Sequence, residues 1–163
     1  MPYQTYLDLL EGLRTNCDLP PFPEPLPSTQ LELELEEGIK LIIDFEEESD
    51  QVSFFSEIGH YSEEQELQVL RQIAQGNFLW EKTNGGTLAA RPEAKELSLC
   101  YQIGVTHLEK NNFVALVEKM ITTALGWNHF LQDPSTPPQF DQKEETTALA
   151  DQVSEIHGIP DYS

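Results

Sequence analysis

Two runs of strictly alternating apolar and polar residues, joined by a short turn, dominate the first third of this chain. Leucine alternates with glutamate from Leu31 to Glu36, the turn falls at Glu37-Gly38, and the alternation resumes from Ile39 to Phe45. Successive side chains of a strand point to opposite faces of a sheet, so this pattern predicts an antiparallel hairpin with one buried face. A third strand is expected from Val52 to Ile58, which gives a three-stranded meander.

Three stretches show the three- and four-residue spacing of an amphipathic helix. The first spans roughly Tyr3 to Thr15. The second begins at Ser62-Glu63-Glu64-Gln65, which has the composition of a capping box, and runs to Gly76. The third is the longest, from Phe113 to Leu131, and contains Gly126, which costs about 1 kcal/mol relative to alanine and so must be held by tertiary packing. The residues expected on the buried face of the second helix are Leu67, Leu70, Ile73 and Ala74.

Two shorter strands are predicted between the second and third helices. They cover Thr87 to Ala90 and Glu96 to Ile103, and Arg91-Pro92-Glu93 between them cannot continue a strand because proline lacks the backbone donor. The element order is then helix, three-stranded antiparallel meander, helix, two strands, helix. This order is typical of an α+β sandwich, in which helices cover an antiparallel sheet.

Length and charge limit the architecture and the partners. The chain has 163 residues and a formal net charge of −20. One folded domain is expected over residues 1–132, and the polar, proline-containing residues 133–163 are expected to form an acidic, disordered tail. Within that tail, Leu149, Val153 and Ile156 are spaced for one weak amphipathic turn on docking. Because a negative field repels phosphate groups and anionic lipid, neither a nucleic acid partner nor membrane insertion is expected.

Two further features concern the chain's surroundings and its connectors. The first residues lack the basic and apolar regions of a signal peptide, which favours a cytoplasmic location with Cys17 and Cys100 as free thiols. The proline-rich run at residues 20–27 is expected to be an extended, stiff connector.

No set of residues has the spacing of a catalytic or metal site. A calcium loop of the EF-hand type starting at Asp44 would need glycine where Ser49 stands and an acid where Phe55 stands. No two histidines are separated by three or four residues, the spacing that zinc ligands on one helix would need; the four are His60, His107, His129 and His157. A non-enzymatic protein that uses neither a cofactor nor a metal is therefore expected.

The residues after the second helix follow a specific order. Asn77-Phe78 closes that helix, Gly85-Gly86-Thr87-Leu88 forms a glycine-rich turn into a strand, Leu97-Ser98-Leu99 begins the next strand, and Trp127 lies near the end of the last helix. In this order and spacing, residues 3–131 resemble the class I type III secretion chaperones, the Tir chaperone family. The resemblance implies a homodimer in the bacterial cytoplasm without enzymatic activity. It also implies binding of an extended N-terminal segment of effector proteins, which keeps them soluble and competent for export.

The resemblance further implies where the partners bind. An extended segment can pair with an exposed sheet edge while its side chains enter grooves beside a helix. The expected cargo-binding residues, on the first helix and the sheet, are Leu7, Leu10, Leu33, Ile42 and Phe54. The expected dimer interface, on the second helix and around the glycine-rich turn, comprises Leu70, Ile73, Phe78, Leu79, Trp80 and Leu88. The ATPase of the type III secretion apparatus is a further expected partner.

A second interpretation rests on the charge alone. An acidic protein of this kind can imitate nucleic acid and block a basic enzyme. Such a decoy would release its partner as salt screens the charges, whereas apolar burial along an extended segment tolerates salt. The salt dependence of partner binding therefore separates the two interpretations.

Overall fold

The computed structural model describes residues 1–23, 30–140 and 149–159, so the predicted proline-rich connector lies partly outside the described residues. The helices in these ranges are α1 (Pro2–Asn16), α2 (Glu66–Asn77), α3 (Lys110–Gln132) and the one-turn α4 (Leu149–Gln152). The strands are β1 (Gln30–Leu35), β2 (Lys40–Glu46), β3 (Gln51–His60), β4 (Thr87–Arg91), β5 (Glu96–Gly104) and β6 (Val153–Ile159). The predicted α+β class and the predicted order from α1 to α3 are confirmed.

The strands form one antiparallel sheet in the order β4-β5-β3-β2-β1-β6. β1, β2 and β3 make the predicted meander, with Leu31 opposite Ile43 and Ile43 opposite Phe54. All three of these side chains are buried. The alternation of apolar and polar residues therefore sets the register, because a slip by one residue would turn the leucines to the other face.

Helices α1 and α3 cover one face of the sheet. Tyr6 of α1 stacks on Phe45 of β2 with 5.0 Å between ring centroids, and Phe113 of α3 lies 6.1 Å from Phe54 of β3. The opposite face carries the alternate residues, of which Phe55 is 40% exposed. The core thus lies between the two helices and one side of the sheet, and the other side is open.

Helix α2 is preceded by the predicted capping box. Gln65 Oε1 accepts a hydrogen bond from Ser62 N at 3.1 Å, and Ser62 Oγ accepts one from Gln65 N at 3.3 Å. The expected buried face is wrong in part, because the inward residues are Val69, Ile73 and Gly76, whereas Leu67 is 62% exposed. The contact between Gly76 of α2 and Trp127 of α3 determines which face of α2 is buried. The spacing of apolar residues within α2 does not reveal this contact, because Trp127 is distant in sequence.

The predicted five strands are joined by a sixth. Strand β6 pairs with β1, although its residues belong to the expected tail, and the ring of Phe140 lies against Gly126 of α3. This packing explains the helical glycine, since an alanine Cβ at Gly126 would lie 2.6 Å from Phe140 Cδ1. Residues 141–148 and 160–163 of the expected tail lie outside the described residues.

Two further observations concern the whole described chain. Cys17 and Cys100 are free thiols, and burial raises the pKa of both. Across residues 1–23, 30–140 and 149–159, no helix combines the length and the apolar content that crossing a bilayer requires.

Candidate protein-binding surfaces

The glycine-rich turn is fixed to α3 by two hydrogen bonds. Trp127 Nε1 donates to the Lys82 carbonyl at 2.9 Å, and Asn84 Nδ2 donates to Thr123 Oγ1 at 2.8 Å. Trp127 and Thr123 are four residues apart, so both lie on the inward side of one helix. The resulting position of the turn determines where β4 begins.

Asn77, the last residue of α2, forms hydrogen bonds with backbone groups at the outer edge of β4. Its Nδ2 donates to the Leu88 carbonyl at 2.9 Å, and its Oδ1 accepts from Leu88 N, also at 2.9 Å. Since these two backbone groups are bonded to a side chain, they face away from β5 and towards the outer edge of the sheet. Asn77 therefore blocks a further strand from pairing at the middle of β4.

Between α2 and the turn, three consecutive apolar side chains project from the surface. Phe78, Leu79 and Trp80 are 64%, 69% and 58% exposed. Leu79 and Trp80 also have positive φ angles of 50° and 56°. A left-handed conformation is unfavourable for such bulky residues, and it persists only where the surroundings or a partner enforce it. We call residues 78–80 the apolar knob.

The apolar knob continues into a stripe along the outer side of α2. Leu67, Leu70, Ala74 and Phe78 follow one another at helical spacing; Leu67, Ala74 and Phe78 are exposed, and Leu70 is partly exposed. Of the predicted interface residues, Leu70 and the three residues of the knob are thus accessible. Ile73 and Leu88 are 7% and 3% exposed and support the surface from below.

The open face of the sheet carries a second apolar patch. Ile42 of β2, Phe55 of β3 and Cys100 of β5 lie opposite one another in the same row of the register. A groove of about 390 Å³ opens beside Ile42 and Phe55, between the β1–β2 turn at Gly38 and the end of β3 at Gly59. Unlike the other positions on this face, which are mostly charged or polar, the patch can accept apolar side chains.

The five predicted cargo-binding residues divide into two groups. Leu10, Leu33 and Phe54 are core residues with at most 2% exposure. Leu7 and Ile42 are partly exposed, on α1 and on the open face respectively. Sequence reasoning did not select Phe55, although two adjacent phenylalanines in one strand must face opposite sides of the sheet, so that one of them lies outside the core.

In the part of the chain that the structure describes, two small clusters combine a histidine with two carboxylates. Glu57, His60 and Glu96 form one, and Glu34, Glu155 and His157 form the other. In each cluster, two residues of one strand are joined by a glutamate from the neighbouring strand. In the first cluster the Arg91 guanidinium donates to Glu96 at 2.6 Å and holds the pKa of that carboxyl below its usual range. Glu96 is therefore engaged in an ion pair with Arg91.

Comparison with known proteins gives a family match and several structural neighbours. The sequence model of the Tir chaperone protein (CesT) family matches residues 8–128. No curated protein sequence matches the chain.

Several solved structures of complexes contain a chain with a similar fold. The structure of the HopA1–SchA chaperone–effector complex aligns with a TM-score of 0.56 and 10% identity, covering 78% of this chain and 93% of that chain. The ExsC–ExsE complex gives a TM-score of 0.54 and 16% identity, over 78% and 92% of the two chains. The heterodimeric ExoU–SpcU complex from the type III secretion system of Pseudomonas aeruginosa gives 0.50 and 21%, over 72% and 90%. At these identities the likeness establishes the fold.

Proposed function

The chain belongs to the Tir chaperone protein (CesT) family, and from this membership we propose that it works in the bacterial cytoplasm as a non-enzymatic type III secretion chaperone that binds an extended N-terminal segment of effector proteins. Binding in this form keeps the effector soluble and export-competent. The observation that carries the proposal is the family match over residues 8–128. The HopA1–SchA chaperone–effector complex, whose fold is similar to that of this chain, supports it.

The cargo-binding surface we propose is the apolar patch on the open face; Leu7, on the helix that covers the opposite face, would make a separate contact. Ile42 and Phe55 are accessible and adjacent in the register. Burying an apolar side chain of this size contributes about 1.5 to 3 kcal/mol, so two such contacts account for a useful share of micromolar binding, which needs about 8 kcal/mol.

The oligomer we propose is a homodimer formed through the apolar knob and the outer stripe of α2. Exposed apolar surface of this kind is unfavourable in water and marks an interaction site. The left-handed backbone at Leu79 and Trp80 supports the same assignment, because it directs large side chains away from the domain. The knob and the open sheet face involve different residues, so both partners can bind at once. Contact with the secretion ATPase remains an expectation of the family resemblance.

Partner capture at two salt concentrations tests the proposal. The tagged protein is used to capture partners in moderate and high salt, bound proteins are digested in place, and protected fragments are identified by mass spectrometry. We expect one salt-resistant N-terminal segment at two chaperone chains per cargo. Capture of a basic protein that salt releases, with no protected segment, would overturn the proposal and favour the nucleic-acid decoy.

A further inference from the structure

Strand β6 occupies an edge of the sheet that would otherwise be free. It pairs with β1 from Gln30 opposite Ile159 to Leu35 opposite Val153, and it is the outermost strand on that side. Val153 and Ile156 are 4% and 8% exposed, so the strand also contributes to the core. The edge that β6 covers is therefore a site at which an extended segment binds, and the present occupant comes from the same chain.

The register of β6 defines which side chains this edge accepts. Ile156 lies opposite Leu33 and Val153 opposite Leu35. An irregularity between these pairs leaves Ser154 outside the residue pairing, although its Oγ donates to the Glu34 carbonyl at 3.0 Å. The irregularity lets two residues that are three positions apart face the same side. The edge thus accepts a segment in which two apolar residues are separated by two residues of any type.

The outer side of the same pairing contains an unfavourable contact. Glu155 of β6 lies directly opposite Glu34 of β1. Like charges at opposed positions of an antiparallel pair are destabilising. His157 Nε2, 3.7 Å from Glu34 and 3.1 Å from Glu155, compensates in part only when it is protonated. A segment with lysine or arginine at the position of Glu155 would pair better with β1 than β6 does.

The other edge of the sheet is less suited to strand addition. At the outer side of β4, the backbone groups of Leu88 are already bonded to Asn77. Within the described residues, the outer side of β1 is thus the side that a single strand, β6, covers.

We infer that β6 is a built-in occupant of the strand-accepting edge of β1, and that a cargo segment with the apolar spacing of Val153 and Ile156 and a basic residue at the position of Glu155 displaces it. The inference rests on the proposed function for the nature of this competitor. A tethered occupant protects an empty chaperone from edge-to-edge aggregation and lowers the apparent affinity for any segment that does not pair better than β6.

The test uses the chain of residues 1–163 and a probe taken from the chain itself. The probe is a fluorescent peptide of residues 149–163 carrying Glu155→Lys, and binding is followed by anisotropy. In the variant Val153→Asp/Ile156→Asp, β6 can no longer dock, and we expect the probe to bind about tenfold tighter than to the wild type, as when a tethered competitor is removed. A variant with Asp151→Asn, changed at an exposed position before β6, and a probe with both aspartate substitutions are the controls.

A disulfide lock gives a second, independent readout. Glu32 and His157 are directly opposed on β1 and β6, so Glu32→Cys/His157→Cys, made with Cys17→Ser and Cys100→Ser, can be oxidised to hold β6 in place. We expect the oxidised protein to lose probe binding and dithiothreitol to restore it. Equal binding by the oxidised and reduced forms would overturn the inference, as would oxidation to covalent dimers, which would mean that β6 pairs between chains.

The outcomes also distinguish this inference from the proposed function. The probe is not an effector, so the exchange of β6 is measured whether or not an effector is known. If the locked protein still protects an effector segment, the inference fails and the chaperone function stands. If the probe exchanges with β6 but no effector segment is ever protected, the proposed function fails and the exchangeable edge stands.

Discussion

Gly76 of α2 lies directly against the indole of Trp127: an alanine Cβ at this position would be 2.7 Å from Trp127 Cζ2. Trp127 is fully buried and its Nε1 is bonded to the Lys82 carbonyl, so the ring cannot move away without releasing the glycine-rich turn. The glycine therefore permits α2, α3 and the turn to meet at one point.

Replacing this glycine should destabilise the protein. We expect Gly76→Ala to lower the free energy of unfolding by about 1 to 3 kcal/mol, the usual cost of overpacking a close contact. Gln75→Ala, at the exposed neighbouring position, should stay within about 0.5 kcal/mol of the wild type. Urea denaturation followed by Trp fluorescence measures both, and a Gly76→Ala protein as stable as the control would contradict the contact.

Replacing Asn77 should also lower the free energy of unfolding, for a different reason. Asn77→Asp keeps the size of the side chain but removes the donor to the Leu88 carbonyl, so a carboxylate would face a carbonyl oxygen. We expect a loss of about 1 to 3 kcal/mol in the free energy of unfolding. Asn112→Asp on the exposed side of α3 is the matched control. If the two variants unfold at the same urea concentration, the paired bonds contribute nothing to stability.

The sequence predicts best where local pattern and tertiary packing agree. The alternation from Leu31 to Phe45 fixed the hairpin and its buried face, and the capping residues at 62–65 made the expected bonds. The position of Trp127 against Gly76 and Lys82 depends on residues far apart in sequence, and no local pattern contains it.

The sequence does not predict strand β6, because the register of β6 against β1 is irregular. Val153 and Ile156 are three residues apart, which is a helical spacing. Only the register shift at Ser154 places both on the inner side of a strand. For the binding surfaces, alternation identified Leu33 and Phe54 as inward-facing, but it could not separate core residues from cargo contacts. Phe55 carried a usable signal, since it follows Phe54 in a strand.

The apolar knob should control the oligomeric state. We expect Leu79→Glu to convert the proposed homodimer to a monomer, because it would bury a charge without a partner at the interface. Phe55→Glu, an equally large change at an exposed apolar residue on the open face, should leave the dimer intact. Sedimentation velocity distinguishes the two species, and a Leu79→Glu protein that sediments as the wild type would exclude the knob from the interface.

The open face should control cargo binding without affecting the dimer. We expect Phe55→Glu to weaken binding of the protected effector segment by about ten- to a hundredfold, which corresponds to the loss of about 1.5 to 3 kcal/mol of apolar burial. Gln102→Glu adds the same charge to an exposed position of the same face and should change the affinity far less. Isothermal titration with the segment recovered from the protection experiment measures both. Equal effects would indicate that net charge, not the apolar patch, governs binding.

The Arg91–Glu96 pair should make part of the stability dependent on pH. The guanidinium, donating to the Glu96 carboxylate, lowers the pKa of this carboxyl below its ordinary value of 4.5. Since the folded-state pKa is the lower one, the stabilisation is fully present above the unfolded-state pKa and is lost as the pH falls through the folded-state pKa. The difference in the free energy of unfolding between wild type and Glu96→Gln should therefore be constant above about pH 5.5 and shrink below it.

Glu64→Gln, which removes one exposed carboxylate, corrects for the change in net charge. Urea denaturation at a series of pH values gives the difference curve. A difference that stays constant down to low pH would show that the pair does not lower this pKa, and one that grows on acidification would mean that the folded protein raises it.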